Sequence, residues 1–245
     1  MKLAEMTWPE VGALDREMVV IIPTGSNEQH GPHLPVFTDS ILATAVSEAV
    51  EAKIGNKLLL TPTLWLGASG HHLAFPGSLS NTMAGYNEAL KAVVESLDRH
   101  GFWKFYVVNG HGGNTSLNDI ALREIKELHP NLLLGHSGYF TYCADLCAEV
   151  LEGPVKMIQH SCEAEVSLMM HVRPDLVRKD KLRDDGLSMP VAGMVHFFDE
   201  VTEEGSRGFA TLATAEKGKR LFDKAVDGLV EALTLLHSGY RLGNS

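Results

Sequence analysis

Four short aliphatic and β-branched runs alternate with longer helical patterns in the first half of the chain, and this alternation constrains the fold more than any other feature. The runs lie at 18–23 (MVVIIP), 57–61 (KLLLT), 105–108 (FYVV) and 132–134. They are apolar throughout, the pattern of strands buried on both faces. Helical patterns follow at 39–52, 82–100 and 116–128, with Thr38, Asn81 and Asn114 as expected N-caps. Two more run over 163–171, closed by Arg173-Pro174, and over 215–236 behind Thr214. No Pro/Gly/Ser-rich linker divides the chain. The pattern predicts one domain over residues 1–245, of α/β class: a three-layer α/β/α sandwich around a mostly parallel sheet. Residues 186–208 have no clear period and read as an excursion with some hairpin character.

Composition removes several function classes. Lys and Arg total 21 and Asp and Glu 31, a formal net charge of −10. Such a balance lacks the basic footprint of a nucleic-acid or anionic-membrane binder. The three cysteines (Cys143, Cys147, Cys162) are too few and too odd for a disulfide framework, so a reducing cytoplasm is the expected home. No apolar run reaches the roughly 18 residues that span a bilayer, and the opening MKLAEMTWPE lacks the apolar core of a signal peptide.

Ligands of parallel sheets bind beyond the carboxyl ends of the strands, and the unusual chemistry falls in those loops. The first cluster, GSNEQHGPHLPVFTD at 25–39, holds Glu28, His30 and Asp39. In an extended loop Glu28 and His30 point to opposite sides, so each can serve a different ion. Asp39 sits at a helix start, where a carboxylate is favoured, and its two oxygens can bridge two cations. The second cluster, NGHGGN at 109–114, presents His111 from a glycine-rich turn. The third, HSCEAE at 160–165, holds His160, Glu163 and Glu165. Mixed N/O donors suit Zn, Mn or Fe(II) better than Ca or Mg. Fewer than four strong protein ligands per ion leaves positions for water, the mark of a catalytic site. Cys143 and Cys147, four apart on one helix face, read as core packing. Trp8, Trp65 and Trp103 read as core or subunit contacts, with Trp65 a possible pocket residue.

Together the three clusters and FPGS at 75–78 resemble the creatininase family of metal-dependent amidohydrolases, in order and spacing, from about residue 20 to 176. The resemblance implies a dinuclear centre: Glu28 and His111 on one ion, His30 on the other, Asp39 between them. The family's namesake branch has a ligating Glu where this sequence has Gly113, and lacks the Glu that stands here as Glu163. The expectation is therefore that Glu163 replaces the missing carboxylate, or shuttles protons with one ion bound. Glu165 is expected as a ligand or a partner of one. Ser161, Cys162, Val166, Ser78 and His71 depart from the family pattern and border the expected pocket.

The expected chemistry is hydrolysis of a non-peptide C–N bond (amide, lactam or formamide) in a small molecule, by hydroxide held between two divalent ions. Zn is the first choice of metal, with Mn or Fe(II) as alternatives. His160 or Glu163 is expected to protonate the leaving nitrogen. Ser69, His72, Phe75, Ser78 and Gly112 are expected around the substrate. The loops hold no Lys or Arg, which argues against a phosphorylated substrate. Pyrimidine-nucleotide deformylases and peptide-trimming enzymes of the same family are the alternatives, with a silent metal-binding protein and a phosphoesterase behind them. Neither nucleic acid nor membrane is an expected partner. The resemblance implies a homo-oligomer, often a hexamer, for which the apolar stretch 191–198 is one possible contact.

Overall fold

The computed structural model describes residues 1–185 and 195–239. In chain order the elements are α1 (Trp8–Gly12), β1 (Val19–Thr24), α2 (Thr38–Ile54), β2 (Leu58–Leu60), α3 (Met83–Asp98), β3 (Lys104–Asn109), α4 (Thr115–Leu128) and β4 (Leu133–Gly138). They continue as α5 (Ala144–Val150), α6 (Glu163–Val172), β5 (Asp184–Asp185), β6 (Gly208–Phe209) and α7 (Ala215–His237). The main sheet is wholly parallel, in the order β2-β1-β3-β4, with Ile21 paired to both Leu60 and Tyr106.

The three-layer architecture follows from the period of two along β1. Val19 and Ile21 enter one apolar cluster with Leu42, Val46, Leu168 and Leu229, contributed by α2, α6 and α7. Val20 and Ile22 enter the other, with Leu90, Val94 and Ile125 of α3 and α4. Each fully buried Val or Ile contributes roughly 1.5–3 kcal/mol, so neither face of β1 tolerates a polar residue. Cys143 and Cys147 are both buried in the first cluster, as packing side chains.

From β1 the chain moves outward to β2, then crosses back to β3 on the other side of β1. The strand order therefore reverses between β1 and β3, and the loops leaving these two strands diverge to open a crevice. Asn114 ties that crevice together. It stands at the N-cap of α4 but makes no cap bond. Its Oδ1 accepts from Ala68 N at 3.0 Å and its Nδ2 donates to Gly25 O at 2.9 Å, joining the loops after β1, β2 and β3. Asn109 locks the turn itself: its Oδ1 accepts from His111 N at 3.1 Å and its Nδ2 donates to His111 O at 2.5 Å.

Thr214 caps α7 as expected, accepting from Lys217 N at 3.2 Å. Two expected caps are displaced by one residue. Thr82 rather than Asn81 caps α3, accepting from Gly85 N at 2.9 Å. Thr38 lies inside α2, and its hydroxyl donates to Pro35 O at 2.7 Å. Trp8 and Trp65 are 86% and 43% exposed, so neither belongs to the core of this chain. The excursion contains one antiparallel pair, β5 with β6. Residues 186–194, and with them half of the 191–198 stretch, lie outside the described residues. Among the described residues no helix is long and apolar enough to cross a membrane.

Candidate metal centre

The crevice between β1 and β3 gathers side chains from five segments. The loop after β1 supplies Glu28 and His30, and the first turn of α2 supplies Asp39. The turn after β3 supplies His111, the loop after β2 supplies His72, and the entry to α6 supplies His160 and Glu165. Asp39 stands in the middle. Its Oδ1 lies 3.0 Å from His30 Nε2 and its Oδ2 lies 3.0 Å from His111 Nδ1. Glu28 reaches in from the side, with Oε2 3.2 Å from His111 Nδ1 and Oε1 3.3 Å from His72 Nε2. Glu165 Oε2 lies 3.5 Å from His30 Nε2.

These atoms fall into donor sets of the size an ion takes: Glu28, Asp39 and His111; His30, His160 and Glu165; and a third, Glu28, His72 and His160. The surrounding hydrogen bonds aim them. His30 Nδ1 donates to Glu28 O at 2.9 Å, leaving the Nε2 lone pair toward Asp39. His111 Nε2 faces Ala68 O at 3.3 Å, leaving the Nδ1 lone pair toward Glu28 and Asp39. Ser26 Oγ donates to Asp39 Oδ2 at 2.6 Å, and Ser161 N donates to Glu165 Oε2 at 2.6 Å. Such outer partners fix ligand orientation in metal sites.

The residues fit divalent cations on two counts. Glu28, Asp39 and Glu165 are at most 5% exposed, and the ionisable groups that pair with them are imidazoles. Glu28 Oε2 is buried with no hydrogen-bond partner, an arrangement that costs free energy unless a cation meets it. The titration of the cluster carries the same mark. Burial opposes ionisation of Glu28, yet His111 holds its carboxyl down to about 2. Burial opposes protonation of His30, yet Asp39 and Glu165 push its imidazole up to about 10. Glu165 is pushed up to about 7, by burial first, with Asp39 adding to it. In effect protons sit where cations would.

Glu163 is not part of this centre, which corrects the sequence-based expectation. Its carboxylate accepts from Glu152 N and Gly153 N, each at 2.9 Å, and from Lys217 Nζ at 2.7 Å. The reason is helical geometry: residues two apart point about 200° from each other, so Glu163 and Glu165 cannot both face the crevice. Nor has the position of Gly113 room for a carboxylate here. A Cβ on it would meet His111 Nε2 at 2.4 Å and Ala68 O at 2.9 Å. Glu163→Gln should leave metal content unchanged and cost about 1.5–3 kcal/mol of stability, read from the denaturation midpoint. A lost ion in that variant would restore Glu163 as a ligand.

The centre opens into a cavity of about 320 Å³. His72 and Gly112 line it, together with His71, Phe140, Ile158 and Phe198. Ser69 is buried behind the wall, its Oγ 3.3 Å from His111 Nε2. Ser78 supports from outside, accepting from Gln29 N at 3.0 Å, and Phe75 and Trp65 do not line the cavity. Phe198 was not legible in the sequence, because it belongs to the stretch without a period. Its ring stacks on His72 at 4.1 Å and meets His160 edge-on at 4.6 Å. Gln29, inside the first motif, is a further residue of the site that sequence pattern alone does not single out.

A parallel sheet with buried carboxylate and imidazole donors at its switch point defines an α/β protein with a candidate metal centre. Comparison with known proteins makes this specific. Residues 4–233 match the family model for creatininase, described as creatinine amidohydrolase. The chain is 31% identical to the mycofactocin precursor peptide peptidase of Mycobacterium ulcerans (strain Agy99), over 93% of this chain and 85% of that protein. It is 29% identical to the creatinine amidohydrolase of Pseudomonas putida, over 94% of this chain and 95% of that one. A solved manganese creatininase superposes with a TM-score of 0.84 at 29% identity, covering 95% of this chain and 96% of that one. The chain belongs to the creatininase family and is an amidohydrolase of that family.

Proposed function

We propose that this chain hydrolyses the C–N bond of a small neutral or zwitterionic amide, with one ion held by Glu28, Asp39 and His111 and a second by Asp39, His30 and Glu165. The observation that carries the proposal is Asp39, which offers one oxygen to each imidazole from inside the cavity. Zn is the first choice for these donors, with Mn and Fe(II) accepted by the same set. Divalent ions bound there would acidify water and polarise the substrate carbonyl.

The chain's own groups supply the rest. His160 is held well below the usual imidazole range by burial and by His30, so it is a neutral base at physiological pH. Its Nδ1 lies 3.4 Å from Glu28 Oε1, at the cavity. There it takes a proton from the attacking water and delivers it to the leaving nitrogen, which cannot depart as an anion. With Glu163 turned away, His160 is the proton carrier of the two candidates. Phe198, Phe140 and Ile158 exclude water and give the substrate an apolar wall. Among the described residues the cavity lining holds no Lys or Arg, which disfavours a phosphate-bearing substrate.

A second reading, removal of residues from a peptide's end, is favoured by the likeness to mycofactocin precursor peptide peptidases. One assay separates the readings. The Zn- or Mn-loaded protein is offered small amides, lactams, formamides, short peptides and phosphate esters. Amine or ammonia from the first three supports the proposal. Amino acids from the peptides support the second reading, and turnover of phosphate esters alone, or of nothing, overturns both.

A further inference from the structure

The third donor set, Glu28, His72 and His160, shares a carboxylate with the first, and something must decide whether His72 also takes an ion. We propose that Gln29 decides it, as a positioning residue that fixes the Nε2-protonated tautomer on both His72 and His160 and so turns a protonated Nε2 of His72, instead of a metal-binding lone pair, toward Glu28.

Two backbone groups, an N–H that can only donate and a carbonyl that can only accept, fix the assignment. The backbone N–H of Gly31 donates to Gln29 Oε1 at 2.9 Å, which settles which end of the amide is oxygen. The other end, Nε2, is therefore a donor, and it meets His72 Nδ1 at 3.0 Å. His72 Nδ1 must accept, so the proton of the neutral ring sits on Nε2 and faces Glu28 Oε1 at 3.3 Å. The backbone carbonyl of Gln29 can only accept, and His160 Nε2 lies 2.7 Å from it, closer than its 3.1 Å approach to Gln29 Nε2, which donates to His72. His160 therefore carries its proton on Nε2 and turns an unprotonated Nδ1 toward the site. One residue, by its side chain and its carbonyl, thus sets two rings whose centroids are 4.5 Å apart.

The amide is itself immobilised. Gln29 is buried, and Gly205, at φ +82°, packs so closely that a Cβ there would meet Gln29 Oε1 at 2.0 Å. The consequence for Glu28 is a division of labour. Oε1 faces the N–H of His72, while Oε2, the atom without a hydrogen-bond partner, remains for an ion beside His111. His160 keeps the lone pair that the proton transfer proposed above requires, and for that consequence alone the inference rests on the proposed function.

The test is a long-range proton–nitrogen correlation spectrum of the Zn-loaded protein labelled with 15N-histidine, with His72 assigned through H72Q. Wild type should show His72 and His160 protonated at Nε2 and not at Nδ1. In Q29E both side-chain oxygens accept, so His72 should gain a proton at Nδ1 while the pattern of His160 stays. Protonation of His72 at Nδ1 in wild type overturns the proposal, and so does an unchanged His72 pattern in Q29E. If Q29E does not fold, the wild-type spectrum decides alone. The spectrum is independent of turnover: a protein silent on every substrate can still show this pattern, and an active one can lack it.

Discussion

Asp39→Asn should reduce bound metal from two ions to at most one and lower turnover of the best amide substrate by well over about 100-fold. Outer partners of metal ligands typically contribute 10- to 100-fold, and Asp39 would itself be a ligand of both ions. The substitution keeps the shape of the side chain. It keeps one oxygen, so only one of the two 3.0 Å approaches, to His30 Nε2 and to His111 Nδ1, survives as an acceptor. It also removes the charge that would hold two cations close together. Ser26→Ala, which deletes the 2.6 Å hydrogen bond to Asp39 Oδ2, should give the smaller effect of an outer partner, about 10- to 100-fold. Metal analysis and kcat measured on the same samples check both. An Asp39→Asn protein with both ions and full turnover would remove the bridging role.

The second large effect is a reversal of pH dependence by metal. In the chelated protein burial opposes protonation of His30, yet Asp39 and Glu165 raise it to about 10 from the ordinary imidazole value of 6.5. Its contribution to stability is fully present below about pH 6.5 and is lost as pH rises through about 10. Glu165, raised to about 7 from 4.5, acts in the same direction: its contribution is present below about pH 4.5 and lost as pH rises through 7. Glu28 acts oppositely, with stability present above about 4.5 and lost as pH falls through about 2. His72, lowered to about 3, and His160, held well below the usual imidazole range, both by burial, cost stability as pH falls below about 6.5, so the chelated protein should be most stable near pH 6.5 and lose on the order of 5 kcal/mol from this cluster by pH 10. Cations replace those protons, so metal affinity should rise across the same interval, with proton release on binding. Denaturant melts of chelated and Zn-loaded protein at pH 5, 7 and 9 read this directly. A chelated protein that gains stability toward pH 9 would contradict it.

Much of this was legible in the sequence because it lives in local pattern. The run VVII could only be a strand buried on both sides, and the structure splits its residues between two cores. The donors Glu28, His30, Asp39 and His111 stand in loops that a parallel sheet must place together, and the crevice gathers all four. Glu163 shows where such reading fails. Chemistry alone makes it as good a ligand as Glu165, and only the helical phase of α6, set by packing against α7 and by Lys217, separates the two. Asn81 and Thr82 differ in capping by one residue, which no pattern resolves. Phe198 reaches the cavity from a stretch with neither strand nor helix period, so no sequence signal announced it. Gln29 was hidden differently: its role depends on contacts 43 and 131 residues away.

The most direct test is an anomalous difference map at the zinc edge from crystals of the Zn-loaded protein. Two peaks are predicted, one on each side of the Asp39 carboxylate, the first within bonding distance (about 2.0–2.2 Å) of Glu28 and His111 and the second of His30 and Glu165. A single peak, peaks remote from Asp39, or a peak at Glu163 would contradict the account.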